Sequence, residues 1–198
     1  MLRETELAGE CPISLEEVKK HCRIDDDDND DLIQDYLNSA VELVTARTGL
    51  SLVRQSYRLE LPQWWCGCLE VPAVPVRTIG AIKYFDTEGQ DVTVSESDYR
   101  WYRTKSGAVI ELLPSFGCPA VQCDRLDAVR IEFEAGFDDP NETGSGDDPE
   151  LVMPIRAKHV VMLLVSFWYD NRDAVAAQGQ APVPMGAEAL MGQLKVYR

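Results

Sequence analysis

Apolar residues are densest between Pro154 and Asp173, PIRAKHVVMLLVSFWYDNRD. Val160, Val161, Met162, Leu163, Leu164, Val165, Phe167, Trp168 and Tyr169 cover nearly the whole circumference of a helix, and Pro154 suits its first turn, where a missing N–H costs nothing. A helix apolar on all sides must be enclosed on all sides. The apolar run is about half the roughly 20 residues that a bilayer requires. Arg156, Lys158, Asp170, Arg172 and Asp173 flank it, so the pattern predicts protein rather than lipid as the enclosure.

Two helices are predicted ahead of it. Ser14 and Glu17 form an S-x-x-E capping box, with Ile13 and Val18 placed as a hydrophobic staple, which gives a short helix over Ser14 to Cys22. Leu32, Ile33, Tyr36, Leu37, Ala40, Val41 and Val44 then share one stripe, with Asp35, Asn38, Glu42 and Thr45 off it. Gly49 follows a basic last turn, where a left-handed cap belongs, so this helix runs over 32–48.

From Leu50 to Phe137 the period changes to two. Tyr57, Leu59 and Leu61 alternate with Arg58 and Glu60, and Val129, Ile131 and Phe133 alternate with Arg130, Glu132 and Glu134. Five to seven short antiparallel strands are expected, bounded or interrupted by Pro62, Pro72, Pro75, Pro114 and Pro119. The fold class that follows is α+β. It is a small helical bundle, about three main helices plus a short C-terminal helix, with a large antiparallel β-rich insertion between the second and third helices. The segments are an N-terminal arm without periodicity (1–12), the helical part (13–49), the insertion (50–137), a linker without an apolar residue (138–149), the central helix (150–173) and a C-terminal linker and docking segment (174–198). In the last of these, Ala187, Leu190, Met191 and Leu194 share a helical face.

Charge and candidate chemistry narrow the function. With 34 acidic against 19 basic residues and a net charge of −15, the chain lacks the cationic surface that holds a phosphate backbone. Met1 to Glu10 contains three Glu, so no signal peptide is expected, and a cytosolic environment follows. Of the six cysteines, Cys66, Cys68, Cys118 and Cys123 are the group to test for zinc. Their spacing fails, and free thiols in a reducing compartment are expected. The acid run RIDDDDNDD at 23–31 invites a calcium loop starting at Asp26, with Asp28 and Asp30 at its third and fifth places. Asp31 stands where the glycine belongs, however, and Leu37 where the bidentate Glu belongs. It reads instead as the start of a helix, with carboxylates capping free N–H groups and opposing the dipole. No nucleotide loop, serine elbow or metalloprotease motif occurs, and two histidines give little material for acid–base work. No catalytic residue, metal or cofactor is assigned. Asp26, Asp28, Asp98 and Glu132 are the acids on which a carboxylate hydrolase would have to draw.

Taken together, ISLEEVKKHCRIDDDDNDDLIQDYLNSAVELVTARTG, RLELPQW, LEVPAVPVRTIGAIKYFD and the late helix ending FWYDNRDAV resemble the head-tail connector family of tailed bacteriophages, also called adaptor or head-completion proteins. The telling parts are the capped helix leading through an acid run into a long helix ending T-G, and the Y-x-N-R element at Tyr169, Asn171 and Arg172. The long strand-rich insertion departs from the family's smallest members. The resemblance implies a structural virion protein of the neck, present in the host cytoplasm during assembly and monomeric when isolated. It implies a homo-oligomeric ring, commonly twelve copies, that docks beneath the portal protein and offers a platform to a stopper or tail-completion protein. DNA would pass through without specific binding, and no membrane is involved. Val161, Leu164, Phe167 and Trp168 would then serve core and subunit contacts. Leu190, Met191, Leu194, Lys195, Val196, Tyr197 and Arg198 would bind portal, the alternative being that this segment docks back onto its own subunit. A soluble acidic adaptor that recruits protein partners is the competing class, and an acidic metal-dependent hydrolase the third.

Overall fold

The computed structural model describes residues 2–7, 11–65, 67–122, 124–138, 151–171 and 183–196. Along the chain these form β1 (Leu2–Leu7), α1 (Leu15–Cys22), α2 (Asp30–Thr48), β2 (Gln55–Leu61), β3 (Cys68–Val71), β4 (Val76–Phe85), β5 (Asp91–Thr93), β6 (Tyr99–Thr104), β7 (Gly107–Leu112), β8 (Val129–Ala135), α3 (Ile155–Asp170) and α4 (Met185–Leu194). The architecture is α+β, with two antiparallel sheets inserted between α2 and α3.

The helix starts follow the local chemistry. Ser14 Oγ accepts the Glu17 N–H at 3.3 Å, and Ile13 and Val18 are both buried beside it. α2 buries Ile33, Leu37, Ala40, Val41 and Val44 along one face and ends at Gly49, whose φ of 77° lets its N–H reach the Thr45 carbonyl at 2.9 Å. The acid run departs from expectation in one respect. Asn29 precedes α2 and no side chain caps its N–H groups, while Lys19 Nζ reaches Asp27 Oδ1 at 2.5 Å and Asp30 Oδ1 at 2.7 Å. A cation from α1 holds the run in place, and only the dipole part of the expected role falls to Asp30 and Asp31 in the first turn.

The larger sheet has the order β1-β2-β8-β4-β5 and the smaller β3-β7-β6. β8 lies at the centre of the larger sheet, with Val129, Ile131, Phe133 and Ala135 buried and Arg130, Glu132 and Glu134 on the other face. Tyr57 pairs with Phe133 and Leu59 with Ile131, and the Tyr57 and Phe133 rings stack 5.4 Å apart. These residues close with Val71, Tyr99 and Ile110 of the smaller sheet into one hydrophobic core. A second core lies among the helices, built on Ile33, Leu37, Val44, Val160, Val161 and Leu164.

Two segments differ from the sequence reading. Leu2–Leu7, expected within a patternless arm, is an edge strand paired antiparallel with β2, with Leu2 opposite Leu59. LRETEL has too few apolar residues to show a period, and its partner lies far along the chain. α3, apolar all round in sequence, is enclosed only in part. Ala157, Val160, Val161, Leu164 and Val165 are buried, Met162, Leu163, Phe167, Trp168 and Tyr169 are half-buried, and Ile155 is 85% exposed. Apart from Asp138, the linker expected over 138–149 lies outside the described residues.

Candidate assembly surfaces

α3 packs against α1, α2 and α4, and its side chains divide accordingly. Val161 and Leu164 are fully buried inside the subunit, so they are core residues. Trp168 is half-buried with its ring 6.2 Å from that of Tyr36 on α2. Leu163 and Phe167, four residues apart and half-buried, stand outside both hydrophobic clusters of the described residues. Along the seam with α1, Lys158 Nζ donates to Glu17 Oε1 at 2.6 Å, and the His159 and His21 rings meet edge-on at 6.2 Å. Sequence reading missed this seam because its residues are 138 positions apart or more and show no joint pattern.

The terminal segment turns back on its own subunit. Ala187 and Met191 of α4 are buried in the helical core, Leu190 and Leu194 are half-buried against it, and the Val196 N–H donates to the Thr48 carbonyl at 2.8 Å. The apolar face read as a docking surface is therefore largely satisfied within the subunit. Lys195 is exposed, while Tyr197 and Arg198 lie outside the described residues, as does Arg172 of the Y-x-N-R element.

The acids do not converge on a reaction centre. Asp26 and Asp28 are exposed in the connection between α1 and α2, and Asp98 sits just before β6. Glu132 faces outward from β8 and accepts from Arg58 at 2.9 Å and Lys83 at 3.3 Å. Among the described residues no group of three or more His, Cys, Asp or Glu is placed to hold a metal ion. Cys22, Cys68 and Cys118 are free thiols, and burial pushes the Cys22 thiol up. Cys66 and Cys123 lie outside the described residues. No described helix is long and apolar enough to cross a membrane.

What the helices and first strands amount to is decided by comparison. The family model for the phage gp6-like head-tail connector protein matches residues 12–94, the stretch that holds α1, α2 and β2 to β5. Over that stretch the chain is similar to the head-tail connector family. That family is structural and non-enzymatic. No curated protein matches the chain. Solved structures extend the likeness beyond the family segment. A chain from the neck of an empty GTA particle computed with C6 symmetry is 25% identical, with a TM-score of 0.75 over 100% of this chain and 96% of that one. A chain from the virion of a native gene transfer agent (GTA) particle is 25% identical, with a TM-score of 0.74 and the same coverage. A third, from the neck of a native GTA particle computed with C12 symmetry, shares the fold at 24% identity, a TM-score of 0.71 and the same coverage. The β insertion is thus shared with these chains, and the likeness in fold spans all of the present one.

Proposed function

We propose that this connector assembles as a ring in the neck of a phage-like particle, between the portal and the stopper or tail, completing the DNA-filled head and surrounding the DNA exit channel. The observation that carries this reading is the match along the full chain, insertion included, to chains from the neck and from the virion of GTA particles. Closed cyclic symmetry would place a neighbour against each subunit. It would supply the enclosure that α3 lacks in a single copy, with Phe167 and Trp168 at or near the contact. The net charge of −15 suits a channel wall that releases DNA instead of holding it. Portal contacts fall to the end of the chain, Lys195 to Arg198, with the half-buried Leu190 and Leu194 of α4 before them.

The test is to mix the purified protein with the portal protein of the same particle, then measure mass by light scattering and symmetry by electron microscopy. A portal-bound ring of connector subunits is expected. A protein that stays monomeric and does not bind portal overturns the proposal.

A further inference from the structure

We propose that the subunits of this ring join head to tail, the seam between α1 and α3 of one copy receiving the outer face of α2 of the next. The inference rests on the ring reading above and adds which two surfaces meet. A closed ring needs two different, mutually complementary patches on each subunit. The helical bundle has two such patches, and they differ in both sign and polarity.

The first patch is the outer side of α3 with α1 beside it. Leu163 and Phe167 lie there half-exposed, and Ile155 is almost fully exposed at the near end. Lys20, Arg23 and Arg156 are the exposed cations of α1, of its C-terminal cap and of the first turn of α3, and the His21 and His159 rings meet where the two helices pack. Glu17 is already neutralised by Lys158, and Glu16 and Asp170 are the remaining acids of these two helices. The second patch is the outer face of α2. Asp31, Asp35 and Glu42 are exposed at helical spacing, the exposed Asp25, Asp26 and Asp28 continue the field past the helix start, and Arg47 stands alone at the far end. Charge complementarity therefore favours contact between unlike patches and opposes contact between like ones.

Direction agrees with charge. Tyr36 of α2 meets Trp168 of α3, which shares its face with the buried Val161 and Leu164 at helical spacing, while His159 and Leu163 lie on another side, so the outer face of α2 and the outer side of α3 point in different directions. A contact between different faces of successive copies propagates around an axis, and the solved relatives include necks computed with C6 and C12 symmetry. A second copy of this chain is the occupant that fits. Leu163 and Phe167 gain cover, and the acidic face of α2 gains cations.

Charge reversal tests the pairing. Asp35→Lys with Glu42→Lys, and separately Lys20→Glu with Arg156→Glu, should each cut the fraction of portal-bound rings at least tenfold, and combining all four should restore it. Phe167→Glu should abolish rings with little change in melting temperature, because the residue lies outside the subunit core. Far-UV circular dichroism melts confirm that each variant is folded, and portal binding by single copies is measured separately. Wild type that binds portal without forming rings sinks the ring reading itself. Rings that survive the reversals and Phe167→Glu sink this face assignment alone, as does failure of the four-residue combination to restore them.

Discussion

Arg77 and Asp138 form an ion pair at the seam where the strands end and the helices resume. The Arg77 side chain is 4% exposed and that of Asp138 11%, so both charges are largely out of water. The same aspartate receives the Leu151 N–H at 2.6 Å on Oδ2 and donates its own N–H to the Leu151 carbonyl at 2.8 Å. One carboxylate thus ties together β4, the end of the insertion and the approach to α3. Asp138→Asn leaves a buried guanidinium uncompensated and is expected to cost about 3–5 kcal/mol. Arg77→Met with Asp138→Leu should recover part of that loss. Urea unfolding of the three variants checks both statements.

Gly136 offers a second test at the same seam. Its φ is 125°, and a Cβ there would run into the Val53 carbonyl oxygen and the Arg54 Cα. Its N–H donates to the Pro75 carbonyl at 2.9 Å, so the backbone cannot shift to make room without losing that bond. Gly136→Ala is expected to destabilise the protein by about 3 kcal/mol from backbone strain and close contact together. A denaturation midpoint within error of wild type would contradict this.

These two positions show where sequence reading stops. The capping box at Ser14, the stripe of α2, the Gly49 cap and the alternation of β8 are local patterns, and each specifies its own element. Pairing across the chain leaves no local trace. β1 needs β2, Lys19 needs Asp27 and Asp30 folded toward it, Arg77 needs Asp138, and Met191 needs a core that closes far upstream. The candidate surfaces follow the same rule. α3 could be recognised as apolar on all sides, but which side of it stays uncovered depends on where α1, α2 and α4 pack. The apolar face of α4 was legible, whereas its partner was not.

The acid run makes a pH-dependent prediction. Hydrogen bonds from Lys19 hold the Asp27 carboxyl below its ordinary value, and those bonds to Asp27 and Asp30 raise the lysine above its own. A depressed carboxylate stabilises the fold above its unfolded value of about 4 and loses that contribution as pH falls through the folded value. A raised lysine contributes fully below about 10.4 and loses its share as pH rises through the folded value. The staple is therefore fully present between about pH 5 and 9 and fails in acid. Lys19→Met should lower the urea midpoint at pH 7, and the gap from wild type should narrow toward pH 2.5. Calcium should leave the melting temperature unchanged for wild type and for Asp26→Asn with Asp28→Asn. A calcium-dependent rise lost in that variant would show a metal loop instead.

The C-terminal segment separates folding from partner binding. Met191 is buried in the helical core and Ala187 fully so, which means that ending the chain after Gly186 removes core as well as surface. Met191→Ala alone should cost about 2–4 kcal/mol, and the long truncation more, through loss of burial and the cavity left behind. Ending the chain after Val196 is a different experiment. It keeps α4 and the Val196 hydrogen bond to Thr48 and removes only Tyr197 and Arg198. If these two residues reach the portal, the shorter truncation should melt with wild type yet bind portal more weakly, by about tenfold for the loss of one aromatic or charged anchor. Calorimetric melts and portal binding measured on the same preparations decide the matter. Unaltered binding after the short truncation would move the portal contact elsewhere on the connector, and a large fall in melting temperature would show that the last two residues also belong to the fold.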